Sequence, residues 1–111
     1  MKIATRLLAA ATCGLALIAA TAAERAVEVV VERGKPVGGA QAVRMVRNDA
    51  VVLTVRSDRD DELHLHGYNL HLHLKSGEPA TLRFVAGRTG RFSAELHQSD
   101  VEVVVFEIYP K

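Results

Sequence analysis

The chain has 111 residues, with 14 basic and 13 acidic side chains, five histidines and one cysteine. A formal net charge of +1 gives no reason to expect nucleic acid or an anionic membrane surface as a partner. The length suits one small domain, and a hydrophobic content of 49% is sufficient for a packed core.

The N-terminal segment has the pattern of a secretory signal peptide. Lys2 and Arg6 precede an apolar run over residues 7–20, and small residues that suit a signal peptidase follow. The run is shorter than the ~20 apolar residues that a membrane anchor needs. The sequence therefore predicts a helical signal peptide over residues 1–23 and a periplasmic or secreted domain over residues 24–111, with no membrane span after cleavage.

The single cysteine, Cys13, lies inside the predicted signal peptide. If the signal is removed, the mature chain has no thiol, so neither a disulfide nor a thiolate metal site is expected. A lipidated Cys13 is the alternative, but residues 10–12 lack a leucine close before it. Cleavage also takes Lys2 and Arg6 from the 14 basic residues, which leaves 12 against 13 acidic ones and a net charge of −1.

Short alternating or valine-rich segments, separated by glycine- and proline-containing turns, follow the predicted signal. The predicted strands lie at residues 26–31, 43–47, 50–56, 61–74 (with a break at Gly67), 81–85, 92–97 and 101–108. No helical periodicity of useful length appears in this part of the sequence. About seven short strands at this spacing predict an all-β fold, an antiparallel Greek-key β-sandwich.

Residues 61–74 alternate apolar and polar residues with a period of two, which is typical of strands with one buried face. Their leucines are predicted to face the core and their histidines the opposite side. Four of the five histidines lie here in two His-x-His pairs, His64 with His66 and His71 with His73. Because neutral imidazole is the commonest protein ligand for copper and zinc, metal chemistry is expected in this stretch.

Several short motifs, in a fixed order, together resemble a cupredoxin-like domain. They are Val-Val-Leu-Thr-Val-Arg-Ser at residues 51–57, Asp-x-x-His-x-His-Gly-Tyr at 61–68, Glu-Pro-Ala-Thr-Leu-Arg-Phe at 78–84, Gly-Arg-Phe at 90–92 and Glu-Leu-His at 95–97. The sequence is most similar to small secreted cupredoxin-like proteins related to the cupredoxin module of periplasmic iron-uptake (EfeO-type) proteins. The resemblance spans nearly all of residues 26–110 and implies a cupredoxin-like fold.

The resemblance also implies where copper ligands would lie. His66, which precedes Gly67, matches the first ligand of copper-bearing cupredoxins, and His97 follows the position of the thiolate ligand. That position is occupied by Leu96, and no methionine follows Met45. A blue-copper site requires two imidazoles and one thiolate, usually with a weak axial thioether. The resemblance therefore implies a module that has lost its blue-copper centre.

The candidate metal ligands are His66 and His97, with His64 on the same strand as His66. Copper as Cu(II) is the expected ion, with zinc less favoured, and a metal-free state with hydrogen-bonded histidines is the alternative. His71 and His73 are interpreted as polar residues of a solvated strand face, and the alternative is that they extend a histidine-lined patch. The acidic run at residues 58–62 is interpreted as a solvated loop, and the alternative is that its carboxylates supply oxygen ligands or orient imidazoles.

The expected function is non-catalytic binding. The sequence shows no Ser-His-Asp order, no glycine-rich phosphate loop and no paired carboxylates in a plausible cleft, so an enzyme is not expected. The first hypothesis is a secreted or periplasmic protein that binds Cu(II) or Zn(II) weakly through histidines. The alternative is a metal-free structural or protein-interaction module of the cell envelope. The expected partner is accordingly a metal ion or an envelope protein.

Overall fold

The computed structural model describes residues 9–15 and 24–111, and within them the secondary structure consists of strands and no helix. The strands are β1 (Glu24–Glu32), β2 (Lys35–Pro36), β3 (Gln41–Val46), β4 (Ala50–Ser57), β5 (Asp61–Leu65), β6 (Leu70–Leu74), β7 (Pro79–Val85), β8 (Gly90–Leu96) and β9 (Glu102–Tyr109). Compared with the sequence prediction, only the two-residue strand β2 is new. It lies in a segment that its glycine and proline content had indicated as a turn.

Most of the predicted signal peptide, residues 1–23, lies outside the described residues. Its described part, residues 9–15, is exposed and has no regular secondary structure. In the described part of the chain, no helix is long and apolar enough to span a membrane.

Two sheets pack face to face. One has the strand order β2-β1-β4-β7 and the other the order β3-β9-β8-β5-β6. The predicted all-β sandwich is confirmed, but the pairing is mixed rather than wholly antiparallel, because β1 pairs with β4, and β3 with β9, in parallel. The reason is the crossover of β3 into the opposite sheet, which returns the chain so that β4 runs in the same direction as β1.

The core lies between the sheets, and alternation along each strand selects the residues that fill it. In β1, Val27, Val29 and Val31 are buried while the residues between them are exposed. The largest fully buried side chain is Phe106 of β9. Its ring contacts Phe84 edge-on, with ring centroids 5.3 Å apart. The interior is therefore a continuous apolar layer shared by both sheets.

The leucines of β5 and β6 face this core as the alternation predicts. Leu63, Leu65 and Leu74 are at most 1% exposed, whereas Leu70 and Leu72 are only half-buried. Strand β6 is an edge strand that pairs with β5 alone, so its leucines have a neighbouring strand on one side only. The opposite side of these two strands carries the histidines.

Candidate metal-binding face

The outer face of the five-stranded sheet carries His64, His71 and His73, and the other two histidines, His66 and His97, begin the turns that follow β5 and β8. Strand β5 lies between β6 and β8, and in this register His64 is opposite His71 on one side and Glu95 on the other. In the next row, His73 is opposite Glu62 of β5. Because successive side chains of a strand alternate between its two faces, these residues all lie on the side away from the leucines.

Three of the imidazoles are in contact, with His64 in the middle. The ring centroids of His64 and His66 are 4.2 Å apart, with their planes inclined at 55°. On the other side, the rings of His64 and His71 are stacked, with centroids 4.3 Å apart and planes 4° from parallel. The sequence favours His71 as a polar residue of a solvated strand face over the alternative of an extended histidine patch, and its contact with His64 arises from the pairing of β5 with β6.

Each flanking imidazole has a carboxylate partner. Nε2 of His66 lies 3.3 Å from Oε2 of Glu95, and Nδ1 of His71 lies 2.8 Å from Oε1 of Glu62. The ring of His64 contacts two other imidazoles and, among the described residues, has no carboxylate at salt-bridge distance. Glu62 belongs to the acidic run of residues 58–62, and its carboxylate is the one from that run that contacts an imidazole of this face, that of His71.

This environment lowers the pKa of His64. Desolvation by the surrounding residues is the main cause, and repulsion from His66 and His71 adds to it. The carboxylates of Glu62 and Glu95 act in the opposite direction without cancelling the effect. His64 therefore stays neutral, with a free lone pair, at a lower pH than an isolated histidine would.

A tight turn fixes the position of His66. The backbone N–H of His66 donates to the carbonyl of Ser93 on β8 at 2.9 Å. The next residue, Gly67, has a φ of 83°, and a side chain there would collide with the ring of Phe92. The guanidinium of Arg88 donates to the Gly67 carbonyl at 2.7 Å. Only glycine fits this turn, which accounts for the His-Gly pair in the sequence.

An aromatic cluster supports the same turn from inside. The ring of Tyr68 lies 4.8 Å from that of Phe92 and 5.3 Å from that of Phe84. The hydroxyl of Tyr68 donates to the carbonyl of Arg88 at 3.2 Å and accepts from the N–H of the same residue at 3.1 Å. The turn after His66 is thus tied to the core and to the loop between β7 and β8.

His97 begins the turn between β8 and β9. Its backbone N–H donates to the carbonyl of Glu62 at 2.8 Å. The buried carboxylate of Asp61 accepts from the N–H of Gln98 at 3.1 Å, and the N–H of Asp100 donates to the carbonyl of Leu96 at 2.9 Å. These bonds place His97 beside the start of β5, whereas His66 lies beside its end.

A small groove of about 90 Å³ runs between β5 and β8 and contains all three predicted metal ligands. Its lining residues are His64, His66, Glu95, Leu96, His97 and Asp100. Since His97 is in register with Glu62, it lies four residues from His66 along β5, or about 13 Å. Within residues 9–15 and 24–111, no group of three or more histidine, cysteine, aspartate or glutamate side chains is arranged to hold a metal ion. Of the three predicted ligands, His64 and His66 are the two whose rings are in contact.

The donors of this face do not fit a blue-copper centre. Leu96 is fully buried at the position that the resemblance assigns to the thiolate, and Met45 lies in the core at 2% exposure. Cys13 is exposed and lies in the described segment of residues 9–15, which belongs to the predicted signal. Imidazole and carboxylate groups do fit Cu(II) and Zn(II). Glu95 and Asp100 were not recognised as part of the site, although they lie two residues before and three residues after His97; the register of β5 with β8 brings Glu95 to His66 as well.

Comparison with solved structures identifies the fold. A copper-binding protein whose apo form was solved by NMR is 14% identical, with a TM-score of 0.62 over 80% of this chain and 91% of that one. A multicopper oxidase from Pediococcus acidilactici is 12% identical, with a TM-score of 0.65 over 98% of this chain and 31% of that one. A heme-copper terminal oxidase is 16% identical, with a TM-score of 0.58 over 78% and 65%.

The chain spans less than two thirds of each of these two oxidases, and identities of this size show the fold alone. No protein-family model and no curated protein matches the sequence. The likeness to copper proteins, together with the two mixed sheets, shows that the chain has a cupredoxin-like fold.

Proposed function

We propose that this protein is a non-catalytic copper-binding protein of the periplasm or the extracellular space. Cu(II), and less strongly Zn(II), binds at the groove through His64 and His66, with Glu95 beside them and His97 at the far end. The observation that carries this proposal is the contact of His64 with His66 at 4.2 Å in a groove that also contains Glu95 and His97. The copper-binding protein with the same fold supports the choice of ion.

The chemistry of the adjacent pair suits a weak, exchangeable site. The rings of His64 and His66 are inclined at 55°, so small rotations direct their lone pairs toward one point. Glu95 lies within hydrogen-bonding distance of His66 and can orient its ring or supply an oxygen ligand. His66 is half-exposed, with 49% of its side-chain surface accessible, which leaves the remaining coordination positions open to water. Such a site binds and releases an ion without a redox centre.

The location and domain boundaries in this proposal come from the sequence. The basic start, short apolar run and small residues of residues 1–23 support a cleaved signal peptide, and residues 24–111 contain all nine strands. The relation to EfeO-type cupredoxin modules belongs to the same proposal. It is supported by the order of the sequence motifs and by the cupredoxin-like fold.

A metal-free interaction module of the cell envelope is the second candidate. It is favoured by the edge positions of β6 and β7 in the two sheets of the described residues, since an edge strand can pair with a strand of another protein. Val85 at the end of β7 is 57% exposed, and so it offers an apolar contact there. An envelope protein that adds a strand at this edge would bind without any contribution from the histidines.

Isothermal titration of the purified protein with Cu(II) at neutral pH tests the proposal. We expect binding in the wild type and its loss in a His64→Ala, His66→Ala double variant. His73→Ala, which removes a histidine of the same face outside the groove, is the matched control and should bind as the wild type does. The metal proposal is overturned if the double variant binds as tightly as the control. It also fails if the wild type does not bind.

A further inference from the structure

The ring of His71 covers one face of His64. The two rings are 4° from parallel with centroids 4.3 Å apart, which is the geometry of an offset stack. On its opposite side, His64 meets the tilted ring of His66. The orientation of His64 is therefore limited by one neighbour that stacks on it and one that can share a ligand with it.

Glu62 holds His71 in this position. Its Oε1 lies 2.8 Å from Nδ1 of His71, so the ring N–H at this position donates a hydrogen bond to the carboxylate. Glu62 and His64 are both on β5, and His71 is directly opposite His64 on β6. The hydrogen bond to Glu62 thus holds the ring of His71 over the ring of His64.

We propose that Glu62 and His71 are positioning residues for His64. Together they restrict the ring of His64 to the orientation in which it meets His66. This inference rests on the proposed binding of Cu(II) by His64 and His66, and it adds two residues to that site without making either of them a ligand.

The geometry separates a positioning role for His71 from a ligand role. The lone pairs of an imidazole lie in the plane of its ring, and two stacked rings have separate, parallel planes. His64 and His71 therefore cannot direct lone pairs to one ion while they are stacked, whereas the inclined rings of His64 and His66 can. Nδ1 of His71 is also occupied by Glu62.

Two substitutions of His71 distinguish the roles. His71→Ala removes the stack, and we expect the affinity for Cu(II) to fall about three- to tenfold, because binding must then restrict a mobile ring of His64. His71→Phe keeps a flat ring on His64 but has no nitrogen, and we expect it to restore most of the wild-type affinity. If His71→Phe loses as much affinity as His71→Ala, the positioning role is wrong and His71 is a ligand.

The spectrum of bound Cu(II) provides a second measurement. Electron paramagnetic resonance should show the same number of coordinating nitrogens in the wild type, in His71→Ala and in His71→Phe. Loss of one nitrogen in both variants would overturn the proposal. Circular dichroism and thermal unfolding of the same samples establish that each variant is folded.

A double-mutant cycle tests the part that Glu62 plays. Glu62→Ala releases His71, so its effect on affinity should resemble that of His71→Ala, and the two substitutions together should cost no more than either alone. Glu62→Gln retains a carbonyl oxygen that accepts from Nδ1 of His71, and it should bind nearly as the wild type does. Fully additive losses in the Glu62→Ala, His71→Ala variant would show that the two residues act separately.

A measurement without metal keeps this inference distinct from the proposed function. A ring stacked on His64 shifts its carbon-bound ring protons upfield in the NMR spectrum. We expect His71→Ala and Glu62→Ala to remove this shift, and His71→Phe to retain or increase it. If the wild type fails to bind Cu(II), the proposed function fails, while these shifts still decide whether His71 positions His64. Unchanged shifts in His71→Ala would overturn the positioning role.

Discussion

Strands β5 and β6 have two faces that serve different purposes. On the inner face, Leu65 of β5 is fully buried and packs in the core between the sheets. On the outer face, the ring of His64 contacts the rings of His66 and His71, and each of these two flanking imidazoles has a carboxylate partner. Because alternate residues of one strand lie on opposite faces, the five residues of β5 contribute both to the core and to the face that carries the histidines. We expect changes on the inner face to affect folding and changes on the outer face to affect binding.

The largest expected effect is on the inner face. Leu65→Ala removes a fully buried side chain and leaves a cavity, so the free energy of unfolding should fall by about 2–5 kcal/mol. His64→Ala, one residue away on the outer face, should change it by less than about 1 kcal/mol. Urea denaturation followed by circular dichroism measures both. Comparable losses in the two variants would break the division between the faces.

The turn that joins the two strands is expected to show the next largest effect. Gly67→Ala places a side chain at a φ of 83° and against the ring of Phe92, and should cost about 2–4 kcal/mol of stability from strain and overpacking. Gly77→Ala is the matched control. Gly77 has a φ of 77° but open space around the added methyl, so only the backbone strain of about 1–2 kcal/mol is expected. Equal losses would show that Phe92 does not limit this turn.

Binding on the outer face should depend on pH through the imidazoles. Each ligand histidine must be neutral, so the affinity for Cu(II) should fall about tenfold per pH unit for each protonated ligand as the pH drops below the histidine range near ~6.5. Because the pKa of His64 is lowered, its share of this loss should begin at a lower pH than that of an isolated histidine. Titrations of the wild type and of His66→Ala between pH 5 and pH 8, a range set by the histidine pKa values, would detect the difference. A pH-independent affinity would contradict ligation by histidine.

The smallest expected effect is that of His64, on the outer face, on the pH dependence of stability. A lowered pKa in the folded state means that the unfolded chain binds a proton at His64 more readily. The contribution of His64 is therefore fully present above its unfolded pKa near ~6.5 and is lost as the pH falls through that value toward the lowered folded pKa. His64→Gln should reduce this loss of stability in acid. Unfolding midpoints measured on either side of ~6.5 would reveal it, and identical pH profiles for variant and wild type would contradict it.

The sequence predicts where the strands lie better than it predicts which strands pair with each other. The leucines and histidines of residues 61–74 reveal which side of each strand is buried, because alternation is local. The approach of Glu95 to His66 depends on the pairing of β5 with β8, which are separated by some thirty residues of chain. No local pattern specifies that register, so this approach could not be predicted from the sequence.

Strand β9 shows why a valine-rich segment resists prediction. Val103, Val104 and Val105 are all buried, so alternation does not distinguish their faces. The structure contains a register shift at Ala94 and Glu95, after which Glu95 is opposite Glu102. A bulge of this kind redirects side chains on one strand, and it depends on the partner strand as much as on its own residues. The register of β8 with β9 is therefore not evident from the sequence of either strand alone.

The aromatic cluster beneath the turn after His66 has an experimental consequence. The chain has no tryptophan and two tyrosines. Tyr109 is half-exposed at the end of β9, whereas Tyr68 is held between Phe84 and Phe92 and bonded to Arg88. An ion or a substitution that disturbs the turn after His66 will therefore alter the fluorescence of Tyr68. Occupancy of the groove can thus be followed by tyrosine emission without an added label.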